Sequence, residues 1–226
     1  MPQQKILLTG IGGCIGTAVL HRLRQDGASV VGLAHEPSAD ADLVADFASD
    51  SALEEALSSL DGTLDGIVLT HGILEPGPID KVHPSRWRRM MDINLNSLYS
   101  IIYHCLPRLA DGSSIVAISS TAAFDHSPVG GPHYTSGKWG VNGMVRHLAF
   151  DLGKRGIRIN AVCPGLVESP MGHALLTDEQ YNASLSEIPL GRPSDASEVA
   201  SVVSFLLGSA SSYMTGALIP VSGGYR

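Results

Sequence analysis

Short, nearly unbroken hydrophobic runs alternate along this chain with longer stretches in which apolar positions recur every three or four residues. Residues 5–9 (Lys-Ile-Leu-Leu-Thr) read as a buried strand, followed by a glycine-rich turn and a helical stretch over about 15–25. Asp26-Gly27 ends that helix, and strands follow over 28–33 and, briefly, 43–45. An amphipathic helix over 51–60 leads to a strand over 66–70, and helical periodicity then covers roughly 84–110. A strand over 114–119, a helix over 132–154, a strand over 158–162, a helix over 196–207 and a strand over 217–221 complete the set. Strands that alternate with helices imply parallel pairing through right-handed crossovers, with helices on both faces. The expected fold is therefore α/β, a doubly wound parallel sheet of about seven strands (a Rossmann fold). Only nine residues separate Leu33 from Leu43, fewer than a helical crossover takes, so a bare loop is expected there.

No repeat, low-complexity tract or linker divides the 226 residues, which read as one domain. A hydrophobic fraction of 44% is ample for a core, and a formal charge of −7 with no basic stripe argues against a nucleic-acid partner. Cys14, Cys105 and Cys163 are far apart, which fits reduced thiols better than a disulfide framework. No charged leader precedes an apolar stretch, and no window approaches 18 uninterrupted apolar residues. A soluble, cytoplasmic protein without a membrane span is expected.

Two features carry candidate chemistry. Tyr134 and Lys138 stand four apart within a predicted helix and so share a face, with Ser119 and Ser120 ending the strand before it. A free phenol, with a pKa of about 10, is a poor base at neutral pH. A fixed ammonium beside it favours the phenolate, so Lys138 is expected to lower that value and let Tyr134 exchange a proton. The second feature is Thr9-Gly10-Ile11-Gly12-Gly13-Cys14-Ile15-Gly16, between the first strand and the first helix. Backbone N–H groups and a helix N-terminus presented there suit a pyrophosphate, and glycines permit its close approach. His71, His126 and His173 have no metal-like spacing and no metal site is expected; His133 reads as an ordinary turn residue.

These motifs, in this order, resemble those of the short-chain dehydrogenases/reductases, and the resemblance runs from Lys5 to Gly224. Thr9, Gly10 and Gly16 match the family's Thr-Gly-x-x-x-Gly-x-Gly turn, whose middle glycine is Cys14 here. Its Asn-Ala-Gly after the fourth strand appears as Thr70-His71-Gly72, and its Asn-x-Val-x-Pro-Gly as Asn160 to Gly165. The resemblance implies an NAD- or NADP-dependent oxidoreductase that interconverts a secondary alcohol and a ketone or aldehyde by hydride transfer. It implies Tyr134 as general acid/base, Lys138 as its cationic partner and a ribose contact, Ser120 as donor to the substrate oxygen, and Asn94 as holder of a relay water.

Implied cofactor contacts are Gly10, Gly13, Cys14, Ile15 and Gly16 in the turn, and His35, Asp46 and Phe47 around the adenosine. Gly72, Tyr134, Lys138, Pro164, Gly165, Val167 and Ser169 are implied around the nicotinamide. Ala34 and His35 replace both the acid typical of NAD-specific members and the firm cation typical of NADP-specific ones. Glu36, Asp40 and Asp42 make the neighbourhood negative, so the balance leans to NAD(H). A short loop over about 166–190 is expected to cover the substrate, with Leu74, Ser120, Phe124, Met171, Leu175 and Tyr181 as contacts and a small neutral carbonyl or alcohol as ligand. Gly137, Gly140 and Gly143 on the catalytic helix suggest close helix packing, on a face that builds a homodimer or homotetramer in the family. The rival expectation is a catalytically silent dinucleotide sensor or scaffold, supported by Cys14 and the altered Thr70-His71-Gly72.

Overall fold

A computed structural model describes residues 3–225, apart from the side chain of Met171. Seven strands form one sheet: β1 (Lys5–Thr9), β2 (Ser29–Ala34), β3 (Leu43–Val44), β4 (Leu64–Leu69), β5 (Leu109–Ile118), β6 (Arg158–Pro164) and β7 (Leu218–Val221). All pairs are parallel and the order is β3-β2-β1-β4-β5-β6-β7. The helices on its faces are α1 (Cys14–Gln25), α2 (Asp50–Ser58), α3 (Pro84–Met91), α4 (Ser97–Cys105), α5 (Pro132–Leu152), α6 (Pro170–Leu175), α7 (Asp178–Ser186) and α8 (Ala196–Leu207).

Side chains alternate across each strand, so consecutive apolar residues feed two separate layers. Leu7, Ile67, Ile115 and Ile159 face one layer, closed by Leu53, Leu57, Ile101, Val141 and Val145 of α2, α4 and α5. Ile6, Leu8, Val68, Val116 and Val162 face the other, closed by Val19, Leu20, Val199 and Val203 of α1 and α8. This two-sided burial is why the strands read as unbroken hydrophobic runs. No helix of the described residues is long and apolar enough to cross a membrane.

The bare loop between β2 and β3 is present, without a helix. Three expectations need correction. The helical pattern over 84–110 is broken into α3, a π-helical turn over Asp92–Asn96, α4, and a 3-10 turn Leu106–Arg108. Pro107 lacks the N–H that would continue the ladder, and β5 begins at Leu109 rather than at Ser114. The segment 166–190 is not a simple loop but carries α6 and α7. Ser169 caps α6 by accepting from the Gly172 N–H, and Thr177 with Gln180 forms a capping box on α7. The third correction concerns the glycines of α5. A Cβ on Gly140 would lie 2.6 Å from Leu95 Cδ2 and one on Gly137 3.5 Å from Asn94 Cβ, but one on Gly143 would meet nothing within 4 Å. Close packing against the π turn of the same chain therefore explains Gly140, while Gly137 would admit a Cβ in ordinary contact and Gly143 in open space.

Candidate active site

β1 and β4 sit side by side where the strand order reverses, so a crevice opens outside their carboxyl ends. The glycine turn forms one lip. Gly10 has φ 70°, and a Cβ there would lie 2.6 Å from the His71 backbone nitrogen. A Cβ on Gly16 would overlap the Gly10 carbonyl oxygen, so α1 can begin this close only with glycine at that position. Gly13, the N-cap, supplies no side-chain cap. The first N–H groups of α1 therefore remain as free donors beside a dipole that favours an anion. Gly12 leaves open space above it, and a Cβ on Gly13 would lie 3.4 Å from the Gly10 carbonyl oxygen. The turn fits a dinucleotide diphosphate.

Cys14 is the departure within that cradle. Its exposed thiol donates to the Glu168 carbonyl oxygen at 3.5 Å, reaching from the turn to the segment after β6. Burial, then the carboxylates of Asp195 and Glu168, push its pKa up, so the sulfur is a protonated, weak donor at neutral pH.

A cavity of about 720 Å³ extends from this turn past the ends of β4, β5 and β6 to α7. It brings together most of the residues expected from sequence. Gly13, Cys14, Ile15, Gly16, Gly72, Ser120, Tyr134, Lys138, Pro164, Gly165, Val167 and Ser169 all line it, as do Leu74 and Leu175. Phe124 does not line it, because its ring turns out to solvent (43% exposed). Tyr181 also lies outside the lining: it donates to Glu168 Oε2 at 2.6 Å and stacks on His173. The side chain of Met171 is outside the described residues. His35 and Asp46, 4.0 Å apart and largely exposed, stand beyond the cavity at the end of β2 and after β3. Phe47 needs correction, since its ring is buried and stacked on His71 at 4.1 Å rather than offered to an adenine.

Around Tyr134, burial sets the electrostatics. Lys138 is buried on α5, its Nζ donating to the Ile118 carbonyl at 2.9 Å and standing 5.8 Å from the centroid of the Tyr134 ring. Desolvation lowers its pKa to about 8, partly opposed by the Cys163 thiol. Burial likewise raises the Tyr134 pKa above the ordinary phenol value, and a hydrogen bond with Ser120 pulls it back. The expected lowering by Lys138 is therefore not realised in this geometry. The ammonium is tied to the Ile118 carbonyl and is itself destabilised by lost hydration.

The two serines divide their work. Ser119 is buried and donates to the Lys138 carbonyl at 3.3 Å, pinning α5 to β5. Ser120 accepts from the Ala122 N–H at 3.1 Å, which leaves its own proton free for the phenol or a ligand. Asn94, fully buried in the π turn, accepts from the Ile73 N–H at 2.8 Å and donates to the Ile73 carbonyl at 2.7 Å. Its amide is thus occupied with the backbone after β4. A Cβ on Gly72 would lie 3.2 Å from Asn94 Oδ1 and 3.7 Å from Lys138 Nζ, so the missing side chain leaves a gap between the two.

His71 and His133 were not foreseen in their actual settings. His71 pairs through Nδ1 with Thr9 Oγ1 at 2.6 Å and through Nε2 with Ser97 Oγ at 2.8 Å. Ser97 donates to the Ile93 carbonyl and Thr9 Oγ1 accepts from the Thr70 N–H. The donors balance only if Nε2 carries the proton. Desolvation, reinforced by the charge of Lys138, lowers the His71 pKa to about 3, so the ring is a neutral strut between β1 and α4. His133 is fully buried, with neither ring nitrogen hydrogen-bonded among the described residues and Nε2 3.9 Å from Glu75 Oε2. It is not the ordinary turn residue its sequence position suggests.

Known proteins give this arrangement a context. A family model described as enoyl-(acyl carrier protein) reductase matches residues 10–226. The chain is 34% identical over 160 residues to the 3-oxoacyl-(acyl-carrier-protein) reductase FabG of Thermotoga maritima, which is 70% of this chain and 64% of that one. It aligns with less than two thirds of the length of the first curated relatives it matches. Solved structures align more fully. A blue fluorescent protein from a metagenomic library, in complex with NADPH, has a TM-score of 0.90 at 28% identity, over 99% of this chain and 98% of that one. A 3-oxoacyl-(acyl-carrier protein) reductase from Brucella melitensis with bound NAD has a TM-score of 0.89 at 27% identity, over 99% and 91%.

Proposed function

The chain belongs to the short-chain dehydrogenase/reductase family, and from that premise we propose that it interconverts an alcohol and its ketone or aldehyde, with NAD(P) as cofactor. The observation that carries this reading is the meeting of the glycine turn, Ser120, Tyr134 and Lys138 in one cavity. The nicotinamide, when bound, takes or gives the hydride; the protein's own groups manage the substrate oxygen and its proton. In the reducing direction Tyr134 delivers its phenolic proton to the carbonyl oxygen while Ser120 donates a second hydrogen bond to it. A phenol whose pKa is raised by burial holds that proton at neutral pH, so the resting geometry is loaded for reduction. Lys138 and Asn94 flank the gap at Gly72, where a relay water would return a proton to the phenol. Turns at Gly10–Gly16 and Pro164–Val167 would hold the dinucleotide.

The nucleotide preference we propose is NAD(H). Arg24 is engaged by Asp40, on the loop after β2, at 2.7 Å, and His35 faces Asp46. A 2′-phosphate would meet carboxylates there rather than a free cation. The chain is read as one cytoplasmic domain that acts on a small neutral carbonyl or alcohol. Exposed Tyr99 and Tyr103 on α4 and Trp139 on α5 support a homodimer or homotetramer.

One observation favours the rival, catalytically silent reading: the Cys14 thiol spans from the turn to Glu168. Titration with NADH and NADPH, followed by a ketone screen, separates the two. Nucleotide binding with turnover that disappears in Tyr134→Phe supports the enzyme; binding without turnover of any carbonyl supports the sensor.

A further inference from the structure

The geometry points to a substrate that carries a hydrogen-bond donor, a hydroxyl or ammonium group apart from its reacting carbon, and to Glu187 as the residue that selects it. This inference rests on the alcohol–carbonyl reading and names the substrate class for that site. Gln180, Ala183, Ser184 and Glu187 fall at i, i+3, i+4 and i+7 from α7 into its C-cap, and all four line the cavity. Across from them the lining is apolar, with Leu74, Val129 and Leu175. Together with Ser120, Tyr134 and Lys138 in the same lining, this polar edge would fix the orientation of a ligand.

On that wall Ser184 and Glu187 keep acceptors open, while Gln180 has its acceptor engaged and keeps its amide donor. Ser184 gives its proton to the Gln180 carbonyl at 3.0 Å, which leaves its oxygen lone pairs open. Gln180 Oε1 is occupied by the Thr177 N–H at 3.0 Å in the capping box. Glu187 adds two carboxyl oxygens as acceptors. Its charge is felt across the cavity: the Tyr225 pKa is raised by burial first, then by Glu187 and Asp125.

Compensating cations are scarce. No lysine or arginine occurs between Arg158 and Arg192, and Arg192 is held by Glu198 at 2.7 and 2.8 Å. Lys138, the cation in the lining, is tied to the Ile118 carbonyl. An anionic substituent would thus meet a carboxylate without a counter-charge, while a hydroxyl or ammonium would find open acceptors.

The test uses ketones of equal chain length ending in methyl, hydroxyl, ammonium or carboxylate, assayed with NADH and NADPH against the wild type, Glu187→Gln and Glu187→Lys. The expected wild-type order of kcat/KM places ammonium and hydroxyl above methyl and carboxylate last, with roughly tenfold or more between ammonium and methyl. Glu187→Gln collapses the ammonium preference and spares part of the hydroxyl preference; Glu187→Lys reverses ammonium and carboxylate. A hydroxyl-only preference identifies a polyol-type substrate, and an ammonium preference an amino alcohol or amino ketone. Turnover with no donor preference, or with carboxylate preferred, overturns the inference while the enzymatic reading stands. If no ketone turns over, that reading fails instead, and thermal shift with the same ligands decides the inference. Stabilisation by donor-bearing ligands that vanishes in Glu187→Gln sustains it, and its absence overturns it.

Discussion

The floor of the cavity and the cover over it are built on opposite principles. In the floor, at the ends of β4 and β5 and along α5, nearly every polar side chain is anchored to backbone. Lys138 holds the Ile118 carbonyl, Ser119 the Lys138 carbonyl and Asn94 both polar groups of Ile73. The cover, α6 and α7, has no buried residue on α7, and side chains join both helices to Glu168: Tyr181 and His173 both bond its carboxylate. Anchored to backbone, groups keep their geometry whatever occupies the site; braced by exposed side chains, a segment adjusts at small cost. On the proposed reading, chemistry belongs to the first region and selectivity to the second.

The sharpest way to break that division is to remove the phenol. Tyr134→Phe is expected to lower kcat by about 10²–10⁴-fold, the range for loss of a general acid, with nucleotide Kd nearly unchanged by fluorescence titration. Equal losses in Kd and kcat would mean that the ring packs the cofactor rather than transferring a proton.

Next in size is the strut beneath the floor. His71→Leu leaves the Thr9 hydroxyl proton without its acceptor and removes one of the two bonds of Ser97, and an unsatisfied buried group costs about 1–3 kcal/mol. Chemical denaturation should show a drop of that order, and activity should fall with it because α4 and the π turn shift. Full stability in this variant would show that the two hydroxyls find other partners.

How far the sequence discloses each region follows the same division. The strands were legible because two-sided burial leaves unbroken apolar runs, and the floor because Tyr134, Lys138 and the glycines are fixed by local spacing. What escaped depends on contacts distant in sequence. Phe47 and His71 are brought together by neighbouring strand ends, so neither residue alone advertises a stacked pair. The lowered Lys138 pKa comes from burial, which spacing does not encode. Thr177-x-x-Gln180 did spell out a capping box, and α7 could have been read from it. That its 180/184/187 edge faces the cavity depends on how the helix docks, and no local pattern states that.

Lys138 offers a pH test of the floor. Its pKa in the folded protein, about 8, lies below the ordinary 10.5, so the unfolded chain holds the proton more firmly. Below about pH 8 both states carry the charge, and folding bears the full cost of desolvating it. Between about 8 and 10.5 the folded state releases the proton first, and this lysine's contribution to stability improves as pH rises. Lys138→Met should therefore raise Tm at pH 7 while abolishing turnover, and the gain should shrink as pH climbs through that window. A Tm difference that is flat from pH 7 to 10 would place the ammonium in a hydrated setting instead.

The smallest expected effect tests where floor and cover touch. Cys14 stands at the position of the family's middle glycine, and its thiol meets the Glu168 carbonyl on the segment that leads into α6. A thiol is a weak donor, so breaking this contact costs little, of the order of 1 kcal/mol or less. Its steric role is larger than its bond, because the side chain lines the cavity at the turn that would hold the dinucleotide. Cys14→Gly should tighten NADH binding several-fold, read as a lower Kd by titration. Cys14→Ser, which keeps the bulk and a better donor, should leave it near the wild-type value. Glycine also adds backbone freedom at the first position of the helix, a cost of about 0.5–1 kcal/mol in stability that Tm would register. Tighter binding together with a lower Tm is the signature of a side chain that stabilises the empty cleft at the expense of its ligand. Unchanged affinity in the glycine variant would show that the thiol swings clear when the nucleotide arrives, and that the cover moves independently of the turn.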